Sequence, residues 1–378
     1  MKTDNMISPV QMAVLLLVYM TGSTILFVPS TLLAQSGNAF WLSMLVSGLF
    51  GCLPLGCMLY LNRRFPGETL IEGGIRTIGY PVTLILMVPY IVFMILLQAY
   101  IYFSIGAFFT TTMMRDTPVF IFNGLMAMIS ALTVRAGALV MARMFMLLSF
   151  LLVGVIVLVL VFNVESYHLN YLLPVLPMGI KPVFHSAYLT SGFIYGDFLV
   201  FAFVFAYLRP KEGKTATKPI FLGYLINWLL VSFTSLCCIM ALGPLTNEYQ
   251  YPLFNISRLI SIQEIIERLE SIIGMSMMAG SYMKATITLF ALNTAITRLL
   301  KQKDDGQLVY PLALLGLVLS LIVVRNEADF GDVLLTWPML TFTVSLTLYV
   351  FTFVALISKR HAKTNLSDQH KKGSSPSP

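Results

Sequence analysis

The chain has 378 residues, 57% hydrophobic and only 11% charged. Soluble domains carry about 25% charge, so this composition argues against a water-soluble enzyme or a nucleic-acid-binding domain. The net charge of +7 fits short basic loops between membrane spans better than a basic surface for nucleic acid.

A membrane helix needs about 20 apolar residues. Apolar runs at 9–33, 38–62, 81–111, 117–134, 138–162, 182–207, 219–242, 271–298, 308–324 and 333–357 predict ten spans. The expected fold is an all-α integral membrane domain over 1–358, with repeats at about 9–162 and 182–357. Residues 359–378 are polar, basic and rich in Ser and Pro, and predict a disordered tail.

Span 1 is interrupted at Thr21-Gly22-Ser23-Thr24, and Pro29 removes a further backbone donor. After span 2, residues 64–79 (RFPGETLIEGGIRTIG) mix polar and apolar positions and predict an interfacial turn or short helix. In span 3, Gln98 and Tyr102 are four residues apart and share a helix face, which suits either pocket lining or hydrogen bonding between helices. Arg143, near one end of span 5, can snorkel to headgroups, cap a loop or join a gating pair.

Span 6 is interrupted at Ser191-Gly192-Phe193-Ile194-Tyr195-Gly196-Asp197. Residues 255–270 (NISRLISIQEIIERLE) predict an amphipathic helix outside the membrane, packed on a vestibule or serving as a docking surface or lid. Span 8 carries Lys284 about 13 residues, or roughly 20 Å, from either end. A Lys at that depth costs about 2.5–3.5 kcal/mol on insertion scales, so it requires a partner or a polar cavity.

Trp41 and Trp337 fall near predicted span ends, as interfacial aromatics do, whereas Trp228 lies deeper in span 7. Cys52, Cys57, Cys237 and Cys238 sit in apolar runs with no His at zinc spacing, and read as small buried hydrophobes. No metal or cofactor site is expected.

Lys and Arg set the orientation. Alternate loops and the termini hold 18 of the 24: Lys2, then groups around 63–76, 135–143, 209–218, 298–303 and 359–372. The opposite loops hold five: Arg115, Lys181, Arg258, Arg268 and Arg325. Both termini are therefore expected to be cytoplasmic.

The two interruptions fall five spans apart, so the second half would insert inverted relative to the first. Paired broken helices in inverted repeats mark the ligand site of many secondary transporters. Free N–H groups at one half-helix attract a carboxylate, and free carbonyls at the other attract an ammonium. An α-amino acid carries both. The bland reading of each glycine alone is close helix packing. Asp197 can cap the half-helix, face a ligand amine or pair with Lys284. Lys284 can stand where a coupling sodium would sit, join proton coupling, or serve only as a structural pair with carbonyls or with Asp197.

Gly22-Ser23-Thr24-Ile25 resembles the G-S/T-G-I break of the amino acid–polyamine–organocation transporters, with Thr24 in place of the second Gly. The wider pattern resembles the B subunits of nutrient germinant receptors in endospore formers. The stretches that carry it are Val28-Pro29, Ala34 to Trp41, Arg64 to Gly79, Thr117-Pro118, Arg135 to Arg143, His168 to Lys181, Phe193 to Asp197 and Tyr251 to Glu270. Where the family often has Glu, this chain has Asp197.

That resemblance implies a LeuT-like fold of five plus five inverted spans with discontinuous helices 1 and 6. It implies sensing of a small nutrient, commonly an amino acid, in the spore inner membrane, with an A subunit and a lipoprotein C subunit as partners. The expected ligand site comprises Thr21, Gly22, Ser23, Thr24, Gln98, Tyr102, Gly192, Phe193, Tyr195, Gly196 and Thr288, with Asp197 and Lys284 as coupling or structural charges. The alternatives are a proton-coupled amino-acid or amine transporter, and a structural channel subunit with a degenerate site.

Overall fold

The computed structural model describes residues 6–22, 35–176, 179–209, 212, 215–259, 269–302, 306–323 and 327–372; the side chains of 269, 327–332, 334 and 358–372 are outside that description. Apolar runs fold as helices here because hydrocarbon offers backbone groups no partner outside their own segment. In chain order the α-helices are α1 (Pro9–Thr21), α2 (Phe40–Arg64), α3 (Leu70–Ile78), α4 (Tyr80–Thr112), α5 (Val119–Ala136), α6 (Ala138–Phe162) and α7 (Lys181–Thr190). They continue with α8 (Phe201–Val204), α9 (Thr217–Leu242), α10 (Pro252–Ser257), α11 (Leu269–Leu299), α12 (Val309–Ile322) and α13 (Glu327–Lys372).

Among the described residues, seven helical stretches are long and apolar enough to cross a membrane. The chain is an all-α, multi-span membrane protein. Pro9–Thr21 and Val309–Ile322 are apolar but shorter. The 31-residue α11 is not among the seven; it carries Lys284, Thr286, Thr288 and Asn293, all buried.

Burial locates the centre. In the apolar window of Lys181–Tyr207, 89% of residues are buried, against 39% for α5 and for α6, whose apolar outward faces are exposed. α11 runs beside that stretch and packs on α1, α4, α5 and α6. α13 closes the other side, against α2, α4 and the segment that follows α7.

Local chemistry sets the helix ends. The Ser8 hydroxyl accepts from the Gln11 N–H while the Gln11 side chain accepts from the Ser8 N–H, with Pro9 at the first helical position. α1 stops at Thr21, where the sequence predicts the break. The expected short helix in 64–79 is α3, opened by a Thr69/Glu72 capping box. Arg76 pairs with Glu68 at 2.6 Å, and Arg298 of α11 reaches Glu72 at 3.8 Å.

Two boundaries differ from expectation. α13 begins at Glu327, ahead of the predicted 333, and it continues to Lys372, beyond Ser358 where the sequence predicts a disordered tail. No Gly or Pro interrupts 339–372, and Gly373 and Pro376 follow. Of the predicted amphipathic helix at 255–270, α10 covers the start, and 260–268 lie outside the described residues.

Candidate functional site

The break in span 6 is a change of helical pitch. α7 ends at Thr190, Ser191–Tyr195 winds as a π-helix, Asp197–Val200 winds as a 3-10 helix, and α8 follows. Each change releases backbone groups from the α-helical ladder; such insertions concentrate at functional sites. Glycine is required at both ends of the π-segment. A Cβ on Gly192 would lie 2.5 Å from the Pro338 Cα, and one on Gly196 would lie 2.6 Å from the Thr341 Cβ. The close approach of α13 therefore rests on two missing methyl groups.

Asp197 opens the 3-10 turn and is the hub of the site. Its Oδ2 accepts from the Lys284 Nζ at 2.6 Å, and its Oδ1 accepts from the Trp337 Nε1 at 2.8 Å. Both charged side chains are 2% exposed. The Tyr19 hydroxyl donates to the Asp197 carbonyl at 3.1 Å and meets the Thr288 hydroxyl at 3.2 Å. Thr288 in turn donates to the Lys284 carbonyl at 2.9 Å. The Lys284 ammonium lies 5.5 Å from the Tyr19 ring centroid and 5.7 Å from that of Phe193, within reach of cation–π attraction. Four elements thus meet on one ion pair: α1, the broken segment, α11 and α13.

The end of α1 packs beside this cluster. A Cβ on Gly22 would sit 2.7 Å from the carbonyl oxygen of Gly280, one turn before Lys284 on α11. The Thr21 hydroxyl donates to the Leu17 carbonyl and accepts from Asn227 Nδ2, each at 2.8 Å, and so ties α1 to α9. Ser23 and Thr24 lie outside the described residues.

Of the expected site residues, the fold gathers Gly22, Gly192, Phe193, Gly196, Asp197, Lys284 and Thr288 around the break. The Tyr195 ring packs on Tyr224 at 5.6 Å and, with Gly192, Gly196, Gly51 and Pro54, lines a small cavity of about 30 Å³ beside the break. Gln98 and Tyr102 face elsewhere. The Tyr102 hydroxyl meets Ser130 of α5 at 3.2 Å, and both side chains pack under Gly316 of α12. Of the two readings their shared face allowed, contact between helices is what the fold displays.

Sequence reasoning misses three contributors. Trp337, expected at a membrane interface, is 5% exposed and bonds Asp197; the earlier start of α13 carries it about 15 Å along the helix. Phe93 and Tyr100 of α4 pack on its indole, with centroids at 5.5 and 5.1 Å. Tyr19 lies within one turn of the span-1 break, a proximity that could have marked it. Tyr90 donates to the Leu199 carbonyl at 2.6 Å and so ties α4 to the 3-10 turn.

Comparison with known proteins gives the family and the fold. The family described as Spore germination protein matches residues 6–328. Spore germination protein KB of Bacillus subtilis (strain 168) is 26% identical over 370 residues, covering 96% of this chain and 98% of that protein. Spore germination protein XB of Bacillus anthracis is 24% identical over 340 residues, 87% of this chain and 92% of that protein. Among solved structures, the crystal structure of MhsT in complex with L-phenylalanine is similar with a TM-score of 0.62 at 12% identity, covering 91% of this chain and 87% of MhsT. That likeness is one of fold, the fold of LeuT-type membrane permeases. Matched along most of its length and folded in this way, the chain belongs to the spore germination permease family.

Proposed function

We propose that this protein is the membrane subunit of a nutrient germinant receptor. In this reading it binds a small nutrient, an amino acid, at mid-membrane between the break after Thr21 and the break at 191–200, and binding triggers germination. The observation that carries the reading is the fully buried Asp197–Lys284 pair at a broken helix. A charge pair in hydrocarbon marks a ligand or ion pathway by default. Gly22 and its neighbours supply donors to the ligand carboxylate, Gly192 and Phe193 present carbonyls to its ammonium, and Thr288 borders both.

The topology that goes with this reading is ten crossings as five plus five inverted spans, with both termini on the cytoplasmic side of the spore inner membrane. The 18-to-5 division of Lys and Arg supports that orientation. Receptor A and C subunits are the partners in this reading, and they receive the signal. A ligand acts only through its different affinity for two states of the break.

The same pair favours one rival, a proton-coupled importer, because a buried carboxylate beside an ammonium can exchange a proton. The test is thermal stability of the purified protein across the common amino acids and nucleosides. One or a few compounds should raise the melting temperature by several degrees, and Gly22→Phe should abolish the rise. No rise with any compound, or a rise indifferent to Gly22→Phe, overturns the proposal. Uptake of the binding compound into proteoliposomes would assign the protein to the importer class instead.

A further inference from the structure

We infer that the ligand enters by exchanging with the Asp197–Lys284 ion pair, so that the site selects α-amino-acid zwitterions against amines, carboxylic acids and amino amides. This inference rests on the reading that the break holds the ligand, and it adds the chemical rule by which the ligand is chosen.

The two carboxylate oxygens of Asp197 are not equivalent. Oδ1 is held by the Trp337 indole N–H at 2.8 Å, whereas Oδ2 is held by Lys284 at 2.6 Å. The backbone carbonyl of Asp197 is anchored separately by Tyr19. Opening the ion pair therefore frees Oδ2 while the aspartate remains held at two other atoms. On the other side, the Tyr19 and Phe193 rings flank the Lys284 ammonium at 5.5 and 5.7 Å. They stabilise the cation through their faces and use none of its N–H groups.

The closed pair is neutral overall and both partners are 2% exposed. Any occupant that separates them must leave each charge compensated, because an unpaired buried charge is strongly disfavoured. A zwitterion meets that condition: its carboxylate accepts from Lys284 Nζ, and its ammonium donates to Asp197 Oδ2. The charges then alternate along Lys284, ligand carboxylate, ligand ammonium and Asp197. An amine or an amino amide compensates Asp197 and strands Lys284; a carboxylic acid does the reverse. Discrimination thus comes from a penalty on the wrong ligand as much as from contacts with the right one.

Exchange also explains how occupancy is reported. The direct Lys284–Asp197 bond fastens α11 to the break, and a ligand inserted between them binds only the opened arrangement. Occupancy therefore shifts the balance between the two arrangements.

The test uses the full chain purified in lipid nanodiscs, with thermal stability read against ligand concentration. Probes are the common α-amino acids and, for each that raises the melting temperature, its α-amide, its decarboxylated amine and its deaminated acid. The expected result is that all three analogues bind at least about a hundredfold more weakly than the parent. Asp197→Asn should invert the preference, so that the deaminated acid binds at least as well as the amino acid; Lys284→Gln should favour the amine. If neither variant folds, the wild-type series decides alone. A single-charge analogue binding within tenfold of its parent overturns the exchange and leaves the proposed amino-acid site standing. No response to any α-amino acid overturns both.

Discussion

Two of the buried polar clusters among the described residues are built to different standards. Around Asp197 and Lys284, both carboxylate oxygens and the adjoining carbonyl are hydrogen-bonded, and aromatic faces flank the ammonium. Between α4, α5 and α12, the neutral cluster is looser. Tyr102 meets Ser130 at 3.2 Å, the Asn123 amide accepts from Ser320 at 3.1 Å and donates to the Tyr102 carbonyl at 2.8 Å, and the fully buried Gln98 amide makes no hydrogen bond of ordinary geometry among the described residues. A stranded neutral amide costs about 1–3 kcal/mol, which a packed membrane protein tolerates. A stranded charge costs more, so both charges of the first cluster are paired, whereas the second leaves one amide without a partner.

Removing a charge tests this contrast hardest. Lys284→Met leaves Asp197 buried beside Trp337 alone and should destabilise the purified protein by about 3–5 kcal/mol in denaturant or thermal unfolding. The double variant Asp197→Asn/Lys284→Met should recover part of that loss, because a neutral pair strands nothing. Purely additive losses in this double-mutant cycle would mean that the two groups are not coupled.

Trp337→Phe keeps the apolar body against Phe93 but deletes the N–H bonded to Asp197. The expected loss is about 1.5–3 kcal/mol by the same measurement; an unchanged melting temperature would show that the indole serves only as packing. Gly192→Ala forces a methyl against Pro338 and should cost about 1–3 kcal/mol. Gly56→Ala and Gly154→Ala, where a Cβ meets nothing within 4 Å, should change stability by no more than about 0.5 kcal/mol. Equal effects at all three sites would remove the close-approach argument for the break.

A small effect is also expected in the neutral cluster. Gln98→Leu replaces a poorly partnered amide with an apolar side chain and should alter stability by less than about 1 kcal/mol. Ligand-induced shifts in melting temperature should survive it. Their loss would join the two clusters into one functional unit.

The charged half of the site is legible in the amino-acid sequence, and the aromatic half is not. Asp197 and Lys284 stand out because hydrocarbon penalises a charge wherever it sits, so each advertises a partner. Gly192 and Gly196 stand out because glycine weakens a helix regardless of its neighbours. Tyr19, Tyr90 and Trp337 are hidden among 17 Tyr, 27 Phe and 3 Trp, residue types at home anywhere in a membrane span. Gln98 and Tyr102 mark the opposite limit: their spacing correctly puts them on one helix face, but spacing does not say which neighbour that face meets.

By itself, then, the sequence determined the class of molecule, the position of the short helix α3, the break at 191–197 and the two charges that hydrocarbon would not leave alone. Only the tertiary structure decided that these two charges neutralise each other, that α13 starts early enough to carry Trp337 onto the carboxylate, and that Gln98 and Tyr102 belong to a separate seam. The physical reason is range. Backbone propensity and the cost of desolvating a charge belong to single residues and can be read one at a time. A hydrogen bond between residues 87 positions apart, such as Lys284 to Asp197, exists only once helix packing has chosen which faces touch.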